Sequence, residues 1–334
     1  MPTTRTGKPR VFSGIQPSGG LHLGNYLGAI RNWVRDQDKY DNIFCIVDLH
    51  AITLPQEPAE LRENTLDLAA IYLASGLKPD QAMFVQSHIP AHSELAWIFE
   101  SFTPIGWLER MTQFRDRSAR HGREGIGTGI LTYPALMAAD IMLYDTKYVP
   151  VGEDQRQHIE YTRDLGQRIN QRFGNILVIP EALIQKAGAE IKGLDDPEKK
   201  MSKSLAAGSP GHAIFMLDTP DVIRRKVARA QTDAEPAVRF PVGPGVRNLL
   251  EIYRTIRELD WPAIEAEFSG KPYSVVKSVV ADAVIEVLAP IQQRYRQIRS
   301  DDAALVLGLR QAAARLTPIA NATLERVQKA VGLR

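Results

Sequence analysis

The first segment of the chain with residues suited to chemistry is GIQPSGGLHLGN, residues 14–25. His22 and Asn25 lie about one helical turn apart in it, and Gly24 leaves the space between them without a side chain. A helix that begins here would offer a phosphate free backbone N–H groups and a positive dipole end, while Gly24 would let a flat adenine approach the backbone. A capped helix start that binds nothing explains the HLGN letters equally well.

A second segment, KKMSKS at residues 199–204, concentrates cations and hydroxyl groups. Lys200 and Lys203 could stabilise the negative charge that grows on a leaving pyrophosphate, and the serines could donate hydrogen bonds to it. A run of charges is more often a solvated loop. KMSKS therefore predicts a phosphate-binding loop only in combination with other motifs.

Two acids stand at a predicted turn from strand to helix in VPVGEDQRQHIE, residues 149–160. Glu153 and Asp154 suit the first turn of a helix electrostatically, and they could equally accept hydrogen bonds from the hydroxyls of a ribose. His158 follows Asp154 by four residues, but two ligands without a third make a poor metal site. We therefore predict no protein-bound metal here.

A single acid, Asp140, interrupts the apolar helix predicted in LTYPALMAADIMLY, residues 131–144. Burying a carboxylate without a hydrogen-bond partner is costly. The partner is either a helix end or an arginine elsewhere in the fold, or a donor group on a bound ligand.

The elements that must position these residues alternate between short apolar runs and helical periodicity over the first two hundred residues. This alternation predicts an α/β fold in which parallel strands are joined by crossover helices. Leu23, Leu27 and Ile30 lie on one face of a helix directly after PSGG, and a second helix begins at Pro58 and ends at Gly76. Parallel sheets bind ligands beyond the carboxyl ends of their strands, so the residues after each strand are the candidates. The expected strands are residues 11–15, 42–47, 82–87, 147–151 and 175–180.

From about residue 220 the strand signals fade and the chain becomes helical. A cluster of Gly, Ser and Pro at residues 205–212 predicts a domain boundary. We therefore expect a Rossmann-like, doubly wound parallel sheet as the catalytic domain in residues 1–206. Residues 207–334 should form an all-helical domain, whose final helix could pack back on the sheet. The expected helical segments are residues 220–231, 245–258, 273–299 and 301–315.

Composition excludes several classes of protein. With 334 residues, 44% of them hydrophobic and 24% charged, the chain is an ordinary globular protein of about two domains. No apolar run reaches the ~18 residues of a membrane span, and the N-terminus lacks the apolar core of a secretory signal, so we expect a cytoplasmic protein. The one cysteine, Cys45, excludes disulfide and Cys-based zinc frameworks. A net charge of +4 from residue 207 onward, against −2 before it, is compatible with a polyanionic partner or with a solvated surface.

HLGN and KMSKS, in this order and on a parallel α/β pattern, resemble the signatures of the class I aminoacyl-tRNA synthetases. The longer strings FSGIQPSG, IVDLHAIT, LERMTQF, LTYPALMAAD and VPVGEDQRQHIE are similar to the bacterial type of tryptophanyl-tRNA synthetase. The likeness runs over nearly the whole chain and is densest up to residue 204. It implies an enzyme that activates L-tryptophan with ATP and transfers it to tRNA(Trp).

The resemblance also assigns roles to single residues. Asp140 would accept a hydrogen bond from the indole N–H, and an asparagine there could rotate its amide to present an oxygen and keep part of the affinity. Lys200, Lys203, His22 and Asn25 would act in catalysis. The implied ATP site comprises Gln16, Pro17, Ser18, Gly24, Asn25, Gly152, Glu153, Asp154, Ile191, Lys200, Met201, Ser202, Lys203 and Ser204. The implied tryptophan pocket comprises Phe12, Gly14, Gln16, His50, Tyr133, Met137, Asp140, Val149, Val151 and Gln155.

The sequence departs from the pattern of the family in two places. Many relatives follow KMSKS with an acidic residue that helps to start the next helix, whereas this chain has Leu205, which leaves the anchoring of the loop open. Residues 115–129 also differ, in a region where relatives carry a lysine near the triphosphate. The candidates for that role here are Arg115, Arg117, Arg120 and Arg123.

The family further implies a homodimer, Mg²⁺ carried in with ATP, and a helical C-terminal domain that reads the anticodon. Tyrosyl-tRNA synthetase is the closest alternative, because it shares the fold and both signatures, but GEDQ and the MAAD helix favour tryptophan. A nucleotidyltransferase that makes a small cofactor would not need the second domain. A non-catalytic RNA-binding relative would not need the cations of KMSKS.

Overall fold

A five-stranded parallel sheet lies at the centre of the fold. The computed structural model describes residues 7–78, 82–121, 126–152, 156–184, 190–235 and 237–334. The strands are β1 (Arg10–Ile15), β2 (Asp41–Ile46), β3 (Ala82–Val85), β4 (Tyr148–Val151) and β5 (Glu181–Ile184). Their order is β3-β2-β1-β4-β5, and every neighbouring pair is parallel. This doubly wound order confirms the predicted fold class.

Both faces of the sheet are buried. Successive side chains of a strand point to opposite faces, so Phe44 and Met83 pack in one core while Cys45 and Phe84 pack in the other. Strands buried on both faces are apolar throughout rather than alternating, which is why the runs could be recognised in the sequence. Cys45 is a buried strand residue.

Helices cover both faces of the sheet. The chain leaves β1 through α1 (Leu23–Asn25), a π-helical turn (Tyr26–Ile30) and α2 (Arg31–Asp36). The helix predicted from Pro58 is α4 (Pro58–Ala74), which ends before Gly76 at φ +112°. The others before residue 210 are α3 (Asp48–Ala51), the 3-10 turn Gln86–His88, α5 (Ala91–Phe102), α6 (Ile105–Glu109), α7 (Thr112–His121), α8 (Gly129–Met142), α9 (Arg156–Phe173) and α10 (Lys203–Gly208).

The C-terminal part is helical, as predicted. Its helices are α11 (Pro220–Ala228), α12 (Pro244–Arg257), α13 (Trp261–Phe268), α14 (Tyr273–Arg299) and α15 (Asp302–Val331). The pattern missed α13, which is short and begins where the side chain of Asp260 caps the N–H of Ala263. It also ended α15 too early. That helix continues through Pro318, because Ala320 and Leu324 pack in the core against the sheet.

The strand predicted at residues 175–180 is wrong. β5 begins only at Glu181 and pairs with β4. The backbone N–H groups of Ile176 and Leu177 donate to the side-chain oxygen of Asn170 instead of to a neighbouring strand, and Arg326 donates to the carbonyl of Ile176. The apolar run is therefore a partly buried connection held by side chains of α9 and α15.

The helical part and the sheet part share their cores. α15 packs against β3 and α5, and α14 packs against α4. Arg299 of α14 forms ion pairs with Glu63 and Asp67 of α4. A division after residue 206 therefore stays a prediction, with extensive packing across it. Among the described helices, none is both long and apolar enough to cross a membrane.

Candidate active site

A cavity of about 650 Å³ opens beyond the carboxyl ends of β1, β2 and β4. The strand order reverses between β1 and β4, since β2 and β3 lie on one side and β5 on the other. Open α/β sheets bind ligands at such a switch point. Of the residues predicted for tryptophan and ATP, this cavity is lined by Phe12, Gly14, Gln16, His50, Tyr133, Met137, Asp140, Val149, Val151 and Gly152.

One face of α8 forms a wall of the cavity. Tyr133, Met137 and Asp140 follow one another at spacings of four and three residues, which places them on the same side of the helix. The ring of His50 meets that of Tyr133 edge to face, with 6.2 Å between centroids. A slot that combines an aromatic ring, a thioether and one fixed carboxylate suits a small flat ligand with a hydrogen-bond donor.

Asp140 is 1% exposed and is held by three side chains. Its Oδ1 accepts hydrogen bonds from Gln86 Nε2 and from His92 Nδ1, both at 2.6 Å. Its Oδ2 accepts one from His50 Nε2 at 2.8 Å. The second nitrogen of His92 lies 2.7 Å from the hydroxyl of Tyr144. The carboxylate is therefore held by two histidines and a glutamine, and not by the arginine or helix end expected of a purely structural acid.

Asp140 is an ionised acceptor, and the donors among the described residues leave one of its acceptor sites unused. Burial raises the pKa of this carboxyl group, but hydrogen bonds from His50 and His92 outweigh it and hold the pKa of Asp140 below its ordinary value. An ionised carboxylate has about two acceptor sites on each oxygen. Oδ1 already has two donors and Oδ2 has one. Asp140 also lines the cavity, which makes the remaining site on Oδ2 the candidate acceptor for a donor from a ligand.

HLGN begins a helix directly after β1, as its sequence predicts. Asn25 Oδ1 accepts a hydrogen bond from the backbone N–H of His22 at 3.0 Å, which caps the first turn. A Cβ on Gly24 would lie 3.0 Å from the ring of His22 and 3.7 Å from Cβ of Ile191. The glycine therefore makes room for the imidazole of His22. Ile191, which the implied ATP site includes, lies beside the same position.

His22 is neutral at physiological pH. Burial, followed by the charges of Lys200 and His212, lowers the pKa of His22 to about 4. Lys200 of KMSKS thus lies within electrostatic reach of HLGN. The fold brings the two signature segments together, although 177 residues lie between His22 and Lys200.

KMSKS lies against the turn that precedes HLGN. Gly19 adopts φ +90°, and a Cβ there would collide with the ammonium group of Lys203. Met201 is buried, and its N–H donates to the carbonyl of Ile191 at 3.0 Å. In the turn itself Pro17 is buried, whereas Ser18 is exposed. The glycine lets a lysine cross the turn, which places its cation beside the start of the first helix.

The second half of KMSKS is helical and not a loop, which corrects the prediction. Ser202 is the N-cap of α10, and its hydroxyl accepts a hydrogen bond from the N–H of Leu205 at 3.4 Å. Lys203 and Ser204 form the first turn of that helix and are exposed. Leu205 therefore does not prevent the helix from starting, because Ser202 supplies the cap.

Several predicted residues lie outside the described part of the chain. These are Glu153, Asp154 and Gln155, with Arg123 and the side chain of Arg120. Arg117 of α7 lines the cavity, whereas Arg115 is not among the residues that line it. Gln113 and Asp116 also line the cavity beside Arg117 and were not predicted from the sequence. Their spacing of three and four residues on one helix was the available signal.

Comparison with known proteins identifies the family of the chain. A model of the tRNA synthetases class I (W and Y) matches residues 4–289. The chain therefore belongs to the class I tRNA synthetases for tryptophan and tyrosine. A tryptophan–tRNA ligase from Wolinella succinogenes is 51% identical over 328 residues, which cover 98% of this chain and 99% of the relative. Within the class, the chain is thus a member of the tryptophan–tRNA ligase family.

Two further relatives support the narrower assignment. A tryptophan–tRNA ligase from Caldanaerobacter subterraneus subsp. tengcongensis is 49% identical over 327 residues, which cover 97% of this chain and 98% of the relative. The crystal structure of tryptophanyl-tRNA synthetase from Campylobacter jejuni complexed with ADP and tryptophan superimposes with a TM-score of 0.85 at 31% identity. It covers 97% of this chain and 99% of that one.

Proposed function

We propose that the chain activates L-tryptophan with ATP to tryptophanyl-adenylate and then transfers the amino acid to tRNA(Trp). The buried carboxylate of Asp140 carries this proposal, because the described donors leave it one acceptor site beside the slot formed by Tyr133 and Met137. An indole N–H fills that site while the two fused rings fill the slot. The Campylobacter jejuni relative, solved with ADP and tryptophan, supports the same pair of ligands.

Tyrosine is the nearest competitor for the slot. A phenol hydroxyl can also donate to Asp140, so this hydrogen bond alone does not separate the two amino acids. The larger indole buries more apolar surface against Met137, Val149 and Val151. Together with the two ligases at 49% and 51% identity, this favours tryptophan.

The first step needs no general base, because the tryptophan carboxylate is already ionised. It attacks the α-phosphorus of ATP, the bond to the bridging oxygen of pyrophosphate breaks, and tryptophanyl-adenylate forms. Catalysis then consists of in-line positioning and of stabilising negative charge on the leaving group. We assign the second task to Lys200 and Lys203, with Mg²⁺ entering as part of the Mg–ATP substrate. The position of Lys203 beside Gly19 supports this assignment.

The nucleotide belongs between the two signature segments. We assign the adenosine to the side of the first helix at Gly24, where the side chain of Ile191 lies nearby and the N–H of Met201 donates to the carbonyl of Ile191. His22 is a neutral imidazole, so it can donate one hydrogen bond to a phosphate without forming an ion pair. Glu153 and Asp154 as ligands of the ribose stay a prediction.

In the second step a hydroxyl of the terminal adenosine of tRNA, by family resemblance the 2′ hydroxyl, attacks the adenylate carbonyl. The bond from that carbonyl to the phosphate oxygen breaks, and AMP leaves. The helical residues 207–334 would read the anticodon, and their net charge of +4 supports contact with RNA. This reaction is expected in the cytoplasm, where translation takes place.

We further propose that the chain acts as a homodimer through an apolar surface beside the cavity. Ile52, Trp97 and Ile105 are 59%, 70% and 66% exposed. A groove of about 420 Å³ at Ile52, Trp97 and Leu136 also borders Tyr133 of the active-site cavity. Exposed apolar patches mark interaction sites, and a second copy related by a two-fold axis would cover the same patch on both chains.

ATP–pyrophosphate exchange with each of the twenty amino acids tests the proposed function. Exchange should depend on tryptophan and should be weak or absent with tyrosine and phenylalanine. The Lys200→Ala, Lys203→Ala double variant is the control, since it should bind tryptophan without supporting exchange. Exchange with tyrosine as the best substrate would refute the choice of amino acid, and no exchange with any amino acid would refute the reaction.

A further inference from the structure

The helix that begins inside KMSKS has an incomplete cap. The bond from Leu205 N–H to the Ser202 hydroxyl is long, at 3.4 Å. In a capping box, an acidic or amide side chain at the position of Leu205 would bond back to the N–H of the capping residue, which leucine cannot do. The orientation of Lys200 and Lys203 therefore needs support from another element.

His212 lies behind this segment and contacts its backbone. The imidazole is 2% exposed, and its Nε2 lies 3.3 Å from the carbonyl oxygen of Lys200. Its Nδ1 lies 2.5 Å from Oδ1 of Asp195, whose other oxygen accepts a hydrogen bond from Ser209. A Cβ on Gly193 would overlap the ring, so this glycine allows the imidazole to reach Lys200.

The ionised carboxylate of Asp195 determines which ring nitrogen of His212 faces it as a donor. Partial burial raises the pKa of this carboxyl group, but hydrogen bonds from Ser209 and His212 outweigh it and lower the pKa of Asp195. The ionised carboxylate can only accept, so Nδ1 of His212 must donate to it. This fixes the ring with Nε2 toward the carbonyl of Lys200, as carboxylates orient histidines in other sites. Because Nδ1 is already the donor to Asp195, Nε2 donates to that carbonyl when both ring nitrogens carry a proton.

The same histidine connects KMSKS to HLGN. Its carbonyl accepts a hydrogen bond from Leu194 at 3.0 Å. Two residues further on, the carbonyl of Ile214 accepts from the N–H of Leu23 at 2.8 Å, and Met216 N–H donates to the carbonyl of Leu21 at 2.8 Å. The segment around His212 is thus bonded to the backbones of both signatures.

We propose that His212 and Asp195 are positioning residues that hold the backbone of Lys200, so that the KMSKS lysines face the phosphates of ATP. The inference rests on the proposed adenylation reaction. Neither residue is assigned a contact with substrate. Their effect is on the rate at which adenylate forms, and the tryptophan slot at Asp140 belongs to different elements, α8, α3 and the turn after β3.

Two amide variants separate the contact with Lys200 from the contact with Asp195. The amide nitrogen of His212→Gln takes the place of Nε2 and can still donate to the carbonyl of Lys200. The amide nitrogen of His212→Asn takes the place of Nδ1 and can donate only to Asp195. Ser209→Ala is the matched control, because it removes a hydrogen bond to Asp195 but leaves the bond to Lys200 in place.

Single-turnover adenylate formation, measured by rapid quench on the full-length protein, gives the rate, and titration with ATP and with tryptophan gives each KM or Kd. His212→Asn and Asp195→Asn should slow adenylate formation about tenfold, as expected for one lost hydrogen bond. The Kd for tryptophan should stay within about twofold. His212→Gln should recover most of the rate, and Ser209→Ala should lose less than about threefold.

Two results would overturn the inference. One is a His212→Asn variant as fast as His212→Gln, since the bond to Lys200 would then be irrelevant. The other is a loss of tryptophan affinity in parallel with the loss of rate, which is what a structural residue would produce. Failure of the wild-type protein to form adenylate with any amino acid would instead refute the proposed function, and the inference with it.

Discussion

Replacing Asp140 with asparagine should remove selective binding of the indole N–H. Gln86 and His92 both donate to Oδ1, so the amide oxygen of the variant has to stay at that position. The NH₂ group then takes the place of Oδ2, where it faces His50, itself a lining residue of the cavity, and offers no acceptor. From the sequence alone the amide was free to rotate and keep part of the affinity, but the donors in the structure remove that freedom.

The size of the effect follows from the type of hydrogen bond. A bond to a charged acceptor contributes about 1.5 to 3 kcal/mol, so the Kd for tryptophan should rise about 10- to 150-fold. Asp140→Ala is a poorer test, because it leaves the buried donors of Gln86, His50 and His92 without a partner. Each such group costs about 1 to 3 kcal/mol, and the free energy of unfolding would fall by several times that of a single bond.

Isothermal titration with two ligands isolates the indole N–H. 3-Benzothienylalanine has nearly the shape of tryptophan, but a sulfur atom replaces the N–H group. The wild-type protein should prefer tryptophan by about 10- to 150-fold, and Asp140→Asn should show almost no preference. Tyr144→Phe is the control, because it removes a contact of His92 but leaves all three donors on Asp140.

The reasoning would be refuted by an Asp140→Asn variant that keeps the preference for tryptophan. It would also be refuted if both ligands lost the same affinity, since Asp140 would then act through the shape of the cavity. Thermal unfolding of each variant accompanies the titrations, so that a loss of folded protein is not mistaken for a loss of binding.

Three further changes give measurable outcomes. Lys203→Ala should slow the burst of adenylate formation about a hundredfold, equivalent to ~3 kcal/mol of transition-state stabilisation, without changing the Kd for tryptophan; an unchanged burst would exclude this lysine from the mechanism. The pKa of His22 is about 4 in the folded chain, below its ordinary value. As the pH falls from about 6.5 to about 4, His22 is therefore protonated in the unfolded chain before it is protonated in the folded chain. The free energy of unfolding falls over this range by up to about 3 kcal/mol. When the free energy of unfolding by urea is plotted against pH, His22→Gln should flatten the curve in this range. An unaltered curve would contradict the lowered pKa of His22. Trp97→Glu should convert a dimer to a monomer in analytical ultracentrifugation, and a wild-type monomer would disprove the proposed interface.

The sheet and its helices could be predicted where the signal is local. Pro58 and Gly76 bracket α4 because one favours the first helical turn and the other adopts a positive φ. The run at residues 175–180 was wrongly predicted as a strand, since an apolar stretch held by Asn170 and Arg326 has the composition of a buried strand. Only the pairing partner distinguishes the two, and that partner is remote in sequence.

The sequence by itself determined the fold class, the signatures HLGN and KMSKS, and the presence of one acid, Asp140, in an otherwise apolar helix. It could do so because periodicity and residue type are local properties. The tertiary structure decided which atoms of Asp140 are occupied, that Gly19 faces Lys203, and that His212 reaches the backbone of Lys200. Those contacts depend on the distance and direction between elements that fold against one another. A hydrogen bond requires both to within a few tenths of an ångström and some tens of degrees, and no pattern within a single segment contains that information.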